Sequence, residues 1–329
     1  MIDYTVISSR VRLARNISGV KFPSKITPEE VAVVEKAAFS AAKKLFDVNF
    51  YRISDLNKSE LNYLVEGHFI SKMLPESPYS SLILSKDKKM SVMLQEEDHI
   101  RSQYLLPGLA LDKCFDELKE YDLVLRGEAH LAYDKQLGYL TACPTNVGTG
   151  MRASVMMFLP GLSLTGQIET LEEELKNAGL TIRGALGEGS NAEGYCYQIS
   201  NAVSLGVTEE TILNRVTSAA ERIKEIESRT LESYYERDRL RLEDAVLRAD
   251  AILRCAKILS QEELESFIVY EKIGAMLNII PSNGVDLDAL ALLTKPSSLM
   301  RLTGSTSVSI LLDAKRAETI QKAITKKEE

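Results

Sequence analysis

The chain has 329 residues and a net charge of −7, with 45% hydrophobic and 26% charged residues. This balance is typical of a folded globular protein with one large domain or two of ordinary size. The acidic charge argues against nucleic acid as the main partner. The four cysteines are widely spaced, so we expect neither a zinc site nor a disulfide framework, and a reducing cytoplasm fits best. No signal peptide or apolar run of about 18 residues is visible, so no membrane partner is expected.

The first predicted element is a strand that begins near residue 4 and continues through the run Ser-Ser-Arg-Val-Arg at residues 8–12. Alternation puts Ser8, Arg10 and Arg12 on one face and Val11 on the other. Two cations on one strand face would make a clamp for a polyanion. A solvated edge strand is the alternative interpretation of the same pattern.

A helix is predicted next, from Thr27 to about Phe46, because a threonine cap is followed by proline and two acids. Residues 81–84 and 90–94 are predicted to form a hairpin. The second strand leads into Gln-Glu-Glu-Asp-His-Ile-Arg at residues 95–101, where Glu97 and Arg101 lie. Three acids in a row are costly to bury without partners, and an exposed acidic loop is the alternative.

The stretch Cys-Pro-Thr-Asn-Val-Gly-Thr-Gly-Met-Arg-Ala-Ser at residues 143–154 predicts a strand entering a glycine loop and a helix leaving it. Gly148 and Gly150 would let the backbone approach an anion, and Arg152 would put a cation at the helix start. Cys143, near cations, is expected to be partly thiolate. A tight turn with a buried cysteine explains the pattern equally well.

Later elements are an amphipathic helix at 167–178, a glycine-rich loop at 184–189 that could close over a ligand, and a returning strand at 195–200. From Thr208 onward the chain is mainly helical, with a capping box at residues 260–263. We therefore expect a catalytic domain over residues 1–230 and a helical domain over residues 231–329.

Five arginines, at positions 10, 12, 101, 152 and 183, fall at predicted strand ends or in glycine loops, which commonly converge at a site. Together they could offset a nucleotide polyphosphate with its magnesium ion, each contact contributing about 1.5–3 kcal/mol. Glu97 and Glu188 suggest a guanidinium acceptor, since carboxylates pair with it through two hydrogen bonds. Deprotonating a guanidinium beforehand would cost about 7–8 kcal/mol, so a glutamate would take the proton as the N–P bond forms.

Four blocks now show a resemblance: residues 8–12, 96–101, 143–154 and 183–188, in that order. The chain resembles the ATP:guanidino phosphotransferases, or phosphagen kinases, over about residues 4–225. Its helical tail resembles that of the bacterial branch, which phosphorylates arginine side chains in proteins. The resemblance implies an α+β fold in which an antiparallel β-sheet is flanked by helices, followed by a helical C-terminal domain.

The same resemblance implies roles for individual residues. Glu97 matches the family's base, Glu188 its mobile-loop glutamate and Cys143 its reactive cysteine. Magnesium would be held through the nucleotide phosphates, with no protein metal cluster. ATP would be bound by Ser8, Ser9, Arg10, Val11, Arg12, His68, Arg101, Arg152, Ala153, Ser154, Val155, Met156, Arg183, Gly184, Ala185, Leu186, Gly187 and Glu188. On its own, His68 would equally be a packed or surface histidine.

The chain departs from the family pattern in three places. Its first motif opens at residue 8, so we expect no helical leading domain like that of the metabolite-directed members, which would favour a protein substrate. Met156 stands where animal members often have histidine. The segment at 312–317 matches the branch's phosphoarginine-sensing motif through Asp313 and Arg316, but Leu312 replaces its leading arginine, which argues against allosteric sensing.

The expected function is therefore ATP-dependent phosphorylation of arginine in proteins. Two alternatives remain open: a kinase for free arginine, and a catalytically silent stress-response adaptor. Expected partners are substrates with exposed arginine, an activator protein, and stress regulators or protease chaperones. A homodimer through the tail is also expected from the bacterial branch.

Overall fold

The computed structural model describes residues 3–184, 193–281, 284–304 and 309–325. Its strands are β1 (Val6–Arg15), β2 (Val48–Arg52), β3 (Ser81–Ser85), β4 (Met90–Leu94), β5 (Ile100–Pro107), β6 (Tyr133–Asp134), β7 (Gly138–Tyr139), β8 (Met151–Phe158), β9 (Leu180–Gly184) and β10 (Cys196–Asn201). Its first six helices are α1 (Pro28–Leu45), α2 (Lys58–Glu66), α3 (Leu111–Glu128), α4 (Pro160–Leu164), α5 (Ile168–Asn177) and α6 (Glu209–Arg237). The tail adds α7 (Arg239–Cys255), α8 (Gln261–Met276), α9 (Leu287–Leu293), α10 (Pro296–Thr303) and α11 (Ile310–Thr325).

Eight of these strands form one sheet in the order β2-β3-β4-β5-β1-β8-β10-β9. Every neighbouring pair in it is antiparallel. The predicted hairpin is confirmed as β3 and β4, which pair directly. The expected α+β class with an antiparallel sheet is therefore confirmed.

One face of the sheet carries the main core. Val11 and Leu13 of β1 and Val155 of β8 are almost completely buried there. They pack against apolar side chains of α1, α3, α5 and the first half of α6. Burying each side chain of this size stabilises the fold by roughly 1.5–3 kcal/mol. Because successive strand residues face opposite sides, the residues between them are committed to the other face.

Local capping signals place several helices where the sequence predicts them. The Thr27 hydroxyl accepts a hydrogen bond from the Glu30 amide, and the Glu30 carboxylate accepts one from the Thr27 amide, so α1 begins with a capping box. The box predicted at residues 260–263 is also confirmed, at the start of α8. These reciprocal bonds satisfy amide groups that a helix start otherwise leaves without partners.

The prediction of a helix after the glycine loop is wrong, because residues 151–158 form strand β8. Met151, Ala153 and Val155 alternate into the core, which is a strand pattern. Backbone pairing to β1 on one side and β10 on the other overrides the ambiguous apolar run. The helical turn begins only at Pro160, the first residue of α4.

The tail helices pack around a separate core that includes Leu253, Leu264 and Ile320. Helix α10 also contacts the first part of the chain, since Ser297 donates two hydrogen bonds of 3.1 Å to the Glu66 carboxylate at the end of α2. The expected boundary at residue 230 falls inside the continuous helix α6, and the division into two domains remains a prediction. Within the described ranges, no helix is long and apolar enough to cross a bilayer.

Candidate active site

The face of the sheet opposite the main core gathers arginines from three central strands. Arg10 and Arg12 share this face of β1. Arg12 pairs directly with Arg152 of β8, and Ala14 pairs with Arg101 of β5. Residues directly opposite each other in an antiparallel pair point to the same side. Four arginines from distant parts of the sequence therefore lie together.

The fifth arginine follows from the register on the other side of β8. Met156 pairs with Gln198 of β10, and Gln198 pairs with Arg183 of β9. Since Met156 and Arg152 share a face, Arg183 belongs to it too. The five arginines, Arg10, Arg12, Arg101, Arg152 and Arg183, are called the cation face below. All five lie within strands rather than at the loop positions that the sequence suggested for several of them.

The arginines of the cation face are close enough to perturb one another. Burial lowers the pKa of Arg10 to about 10, with further lowering from the charges of Arg101 and Arg152. Burial, then Arg10, Arg101 and Arg152, holds the pKa of Arg12 well below its ordinary value. The pKa of Arg152 is lowered first by burial and then by Arg183 and Arg101. The face is thus a cluster of partly desolvated, mutually repelling cations.

Little within the described residues compensates these charges. The Nε atoms of Arg10, Arg12 and Arg152 are buried without a hydrogen-bond partner. Arg152 donates from Nη2 to the Ser200 hydroxyl at 3.0 Å, which is a neutral acceptor. Arg101 is the exception, with its Nη1 2.5 Å from Glu96 Oε2. Buried donors without partners cost free energy, so this geometry favours a polyanionic ligand.

His68 lies at the α2 end of the cation face. Its carbonyl oxygen accepts a 2.8 Å hydrogen bond from the Gln103 side chain of β5, and its backbone is left-handed, with φ of 58°. His68 is exposed at the surface, but desolvation by the groups packed around its ring, and then the positive charges of Lys295, Arg10 and Lys72, lower the pKa of His68 to about 4. At neutral pH the imidazole is therefore uncharged, and it could donate a hydrogen bond to a ligand or accept one from it.

Glu97 is exposed in the short loop between β4 and β5. The residue after it holds the loop in place, because Asp98 Oδ1 accepts 2.7 Å hydrogen bonds from the Asn16 side chain and from the Ala142 amide. Ala142 directly precedes Cys143. The loop that carries Glu97 and the loop that carries Cys143 are consequently bonded to each other beside the cation face.

Cys143 is half-buried and begins a single helical turn, Pro144–Asn146. Its Sγ lies 3.0 Å from the Thr145 hydroxyl oxygen. The described geometry places the thiol at the surface of its loop, where a substrate could contact it. The alternative of a deeply buried cysteine does not hold.

The two glycines of this loop have a different role from the one predicted. Gly148 has φ of 111° and Gly150 has φ of 62°. A side chain on Gly148 would collide with the carbonyl oxygen of Ser204, and one on Gly150 would collide with Arg15 Nη1 and the carbonyl oxygen of Ala14. Both glycines therefore allow neighbouring segments of this protein to pack closely, rather than an anion to approach.

Part of the predicted site lies outside the described residues: Ala185, Leu186, Gly187 and Glu188. Arg183 and Gly184 end β9 immediately before that stretch. The described structure thus fixes where the segment starts, next to the cation face.

Sequence reasoning did not single out Asp98, Asn16 or Glu96. Asp98 and Asn16 are buried, and their partners lie far away in the chain. Glu96 accepts hydrogen bonds from both Ser71 and Arg101. A weak signal was available, because the acidic run at 96–98 was expected to need partners if buried.

Asp313 and Arg316 form an ion pair within α11, with Arg316 Nη1 2.5 Å from Asp313 Oδ1. Arg316 is only 1% exposed. It also donates to the carbonyl oxygens of Thr294 and Leu259, at 3.0 and 2.8 Å. Through these hydrogen bonds, the Arg316 guanidinium links α11 to the end of α9 and to the segment just before α8. Leu312 beside it is buried in the same region.

Comparisons with known proteins agree with this geometry. Residues 30–230 match the ATP:guanido phosphotransferase C-terminal catalytic domain, and residues 239–329 match the protein-arginine kinase McsB C-terminal domain. The chain is 39% identical to a protein-arginine kinase of Caldanaerobacter subterraneus subsp. tengcongensis, with full coverage of both chains. It is 36% identical to a protein-arginine kinase of Bacillus subtilis, covering 97% of this chain and 90% of that one.

A solved lombricine kinase structure superposes with a TM-score of 0.62 at 26% identity, over 71% of this chain and 69% of that one. A duplicated taurocyamine kinase of Schistosoma mansoni gives a TM-score of 0.60 at 27% identity, over 68% of this chain and 33% of that one. The fold, the domain matches and the full-length relatives all point the same way. The chain belongs to the ATP:guanido phosphotransferase family, and within it to the protein-arginine kinases.

Proposed function

We propose that this protein transfers the γ-phosphoryl group of ATP to the guanidinium group of arginine residues in proteins. The observation that carries the proposal is the cation face, whose charges are largely uncompensated. Beside it lie two loops, hydrogen-bonded to each other, that carry the Glu97 carboxylate and the Cys143 thiol. A positively charged, partly desolvated surface suits a triphosphate. The loops with Glu97 and Cys143 suit a planar cation opposite it. The names of the full-length relatives support protein arginine as the acceptor.

ATP would lie across the cation face, with its phosphates on the arginines and its nucleoside toward His68. The polar positions facing the same side, among them Ser154 and Ser200, would add neutral hydrogen bonds. Magnesium would be held through the nucleotide phosphates and water, as the family resemblance implies. When bound, the ion would neutralise part of the phosphate charge.

The transfer forms a bond from a guanidinium nitrogen to the γ-phosphorus and breaks the bond from that phosphorus to the β,γ-bridging oxygen, which leaves with ADP. The guanidinium loses one proton as the nitrogen becomes less basic, and Glu97 takes it. The arginines of the cation face stabilise the charge on the transferring phosphoryl group. Glu188 would pair with the acceptor from the segment after β9, and Cys143 would face another guanidinium nitrogen.

The remaining parts of the proposal concern the surroundings of the reaction. Residues 1–230 would carry catalysis and residues 231–329 would form a helical domain, which the two family matches support. The tail would mediate a homodimer and contacts with an activator, stress regulators or protease chaperones. The protein would act in the cytoplasm, where its free cysteines stay reduced.

The direct test is incubation with ATP, magnesium and casein, followed by mass spectrometry at neutral pH to locate phosphate on arginine nitrogen. We expect an acid-labile phosphoramidate, which the Glu97→Gln variant should form far more slowly than wild type. The same assay with free arginine separates a protein kinase from a small-guanidine kinase. Strong turnover of free arginine with no product on casein would contradict the proposed acceptor. ATP binding without transfer to either acceptor would favour the silent adaptor.

A further inference from the structure

Residues 202–206 follow β10 and form a loop that is fixed to the loop carrying Cys143. Ser204 is buried, and its hydroxyl lies 2.6 Å from the carbonyl oxygen of Thr145 and 2.9 Å from that of Val147. In return, the Thr149 amide donates to the Ser204 carbonyl oxygen at 3.0 Å. The contact is close enough that Gly148 has no room for a side chain. The two loops therefore form one ordered surface.

That surface exposes apolar side chains on either side of its fixed point. Val203 is 44% exposed and Leu205 is 47% exposed, although the serine between them is buried. Leu137, which is 48% exposed, lies in the turn between β6 and β7. Its neighbour Gly138 packs directly on Gly148. We call Val203, Leu205 and Leu137 the acceptor-side patch.

Isolated exposed apolar residues are common and need no explanation. A group of them on an ordered surface beside a reaction site suggests a binding role. The patch is not part of the cation face, and a nucleotide would not need it. Free arginine has no apolar portion beyond its own short stem that could reach both loops. Since Ser204 contacts the loop that carries Cys143, a polypeptide whose arginine reaches Cys143 would have its neighbouring residues close to this surface.

We infer that the acceptor-side patch binds apolar side chains of an extended polypeptide segment next to the target arginine. The inference rests on the proposed function and adds a substrate preference to it. Arginines flanked by apolar residues would be modified in preference to arginines flanked by glycine or serine. Because the loop is already ordered, binding would not lose conformational entropy by ordering it.

The test compares two peptides with the same central arginine, one flanked by leucine and valine and one by glycine and serine. Wild type is expected to show a five- to thirtyfold lower KM for the apolar peptide, which corresponds to covering two half-exposed aliphatic side chains. The double variant Val203→Ser with Leu205→Ser is expected to lose that preference. Its kcat for N-acetylarginine amide and its Kd for ATP should stay within twofold of wild type.

The matched control is Val33→Ser with Leu123→Ser, two residues 51% and 57% exposed on α1 and α3, which cover the other face of the sheet. This control should keep the peptide preference. Equal KM values for both peptides in wild type would overturn the inference, as would an unchanged preference in the Val203 and Leu205 variant. A changed sedimentation profile in that variant would also overturn it, by assigning the patch to self-association. If wild type modified no arginine at all, the proposed function itself would fail first.

Discussion

Replacing Arg152 with methionine should weaken ATP binding while making the ATP-free protein more stable. Arg152 sits in the middle of the cation face, opposite Arg12, and its Nε is buried without a partner. One lost charge-assisted contact to phosphate costs about 1.5–3 kcal/mol, which is a tenfold to 150-fold increase in the Kd for ATP. Methionine matches the unbranched part of the arginine side chain as far as Nε, so packing around that part changes little.

The same substitution should stabilise the ATP-free protein, although it weakens ATP binding. Without a ligand, the charge of Arg152 is unfavourable because it is partly desolvated and lies near other cations. Burial and the charges of Arg183 and Arg101 lower its pKa, so the folded state disfavours this charge. The substitution also removes the hydrogen bond from the charged guanidinium to Ser200, worth about 1.5–3 kcal/mol. We expect the relief of desolvation and repulsion to exceed this loss, so the free energy of unfolding of the ATP-free protein should rise.

Isothermal titration with ATP and urea unfolding of the ATP-free protein measure the two effects. Arg222→Met is the control, because Arg222 is an exposed arginine paired with Glu174 outside the cation face. It should leave the Kd unchanged and alter stability by less than about 0.5 kcal/mol. A destabilised Arg152→Met protein with unaltered ATP affinity would refute the reasoning, since it would show that the arginine serves the fold rather than a ligand.

Three further predictions concern acids of the chain. Glu97→Gln should lower phosphoryl transfer by about 10²–10⁴-fold while the Kd for ATP stays within twofold; a lost ATP affinity would mean that Glu97 has been assigned to the wrong task. Asp98→Ala removes the acceptor shared by Asn16 and Ala142, so kcat should fall by about 10- to 100-fold at unchanged ATP affinity, and an unchanged kcat would contradict the link between the two loops. Glu271 is buried, has an Oε2 without a partner, and has its pKa raised to about 7 by burial and then by Asp250. The folded state therefore holds a proton that the unfolded chain releases above about pH 4.5, and this contribution to stability is lost as pH rises to about 7. Glu271→Gln should consequently match wild type near pH 4 and exceed it at pH 8 by roughly 1–3 kcal/mol in urea unfolding, whereas a constant difference across this range would argue against a titrating Glu271.

The sequence was informative wherever a function needed a charge at a fixed position in a strand. Alternation alone put Arg10 and Arg12 on one face of β1, and the register of the sheet confirms it. The helix start at Thr27 and the capping box at residues 260–263 were equally readable, because the residues that form each lie within one helical turn. These features depend only on residues that are close together in the sequence, so a short stretch of sequence is enough to predict them.

Long-range contacts could not be predicted in the same way. The apolar run after Gly150 is compatible with a helix or a strand, and only pairing with β1 and β10 decides between them. Gly148 has a positive φ that either an anion or a neighbouring chain segment would explain, and the neighbour, Ser204, is distant in sequence. Asp98 appeared as one acid of three, although its two partners distinguish it from both neighbours.

The position of β1 explains how the core and the candidate site depend on each other. This strand pairs with β5 and β8, so it lies inside the sheet and has no free edge. A slip of one residue would carry Val11 and Leu13 out of the core and carry Arg10 and Arg12 into it. Burying two unpaired cations is far more costly than losing the ligand contacts. The packing of Val11 and Leu13 against the helices therefore fixes where the arginines point, and the same strand register that stabilises the fold positions the cation face before any nucleotide binds.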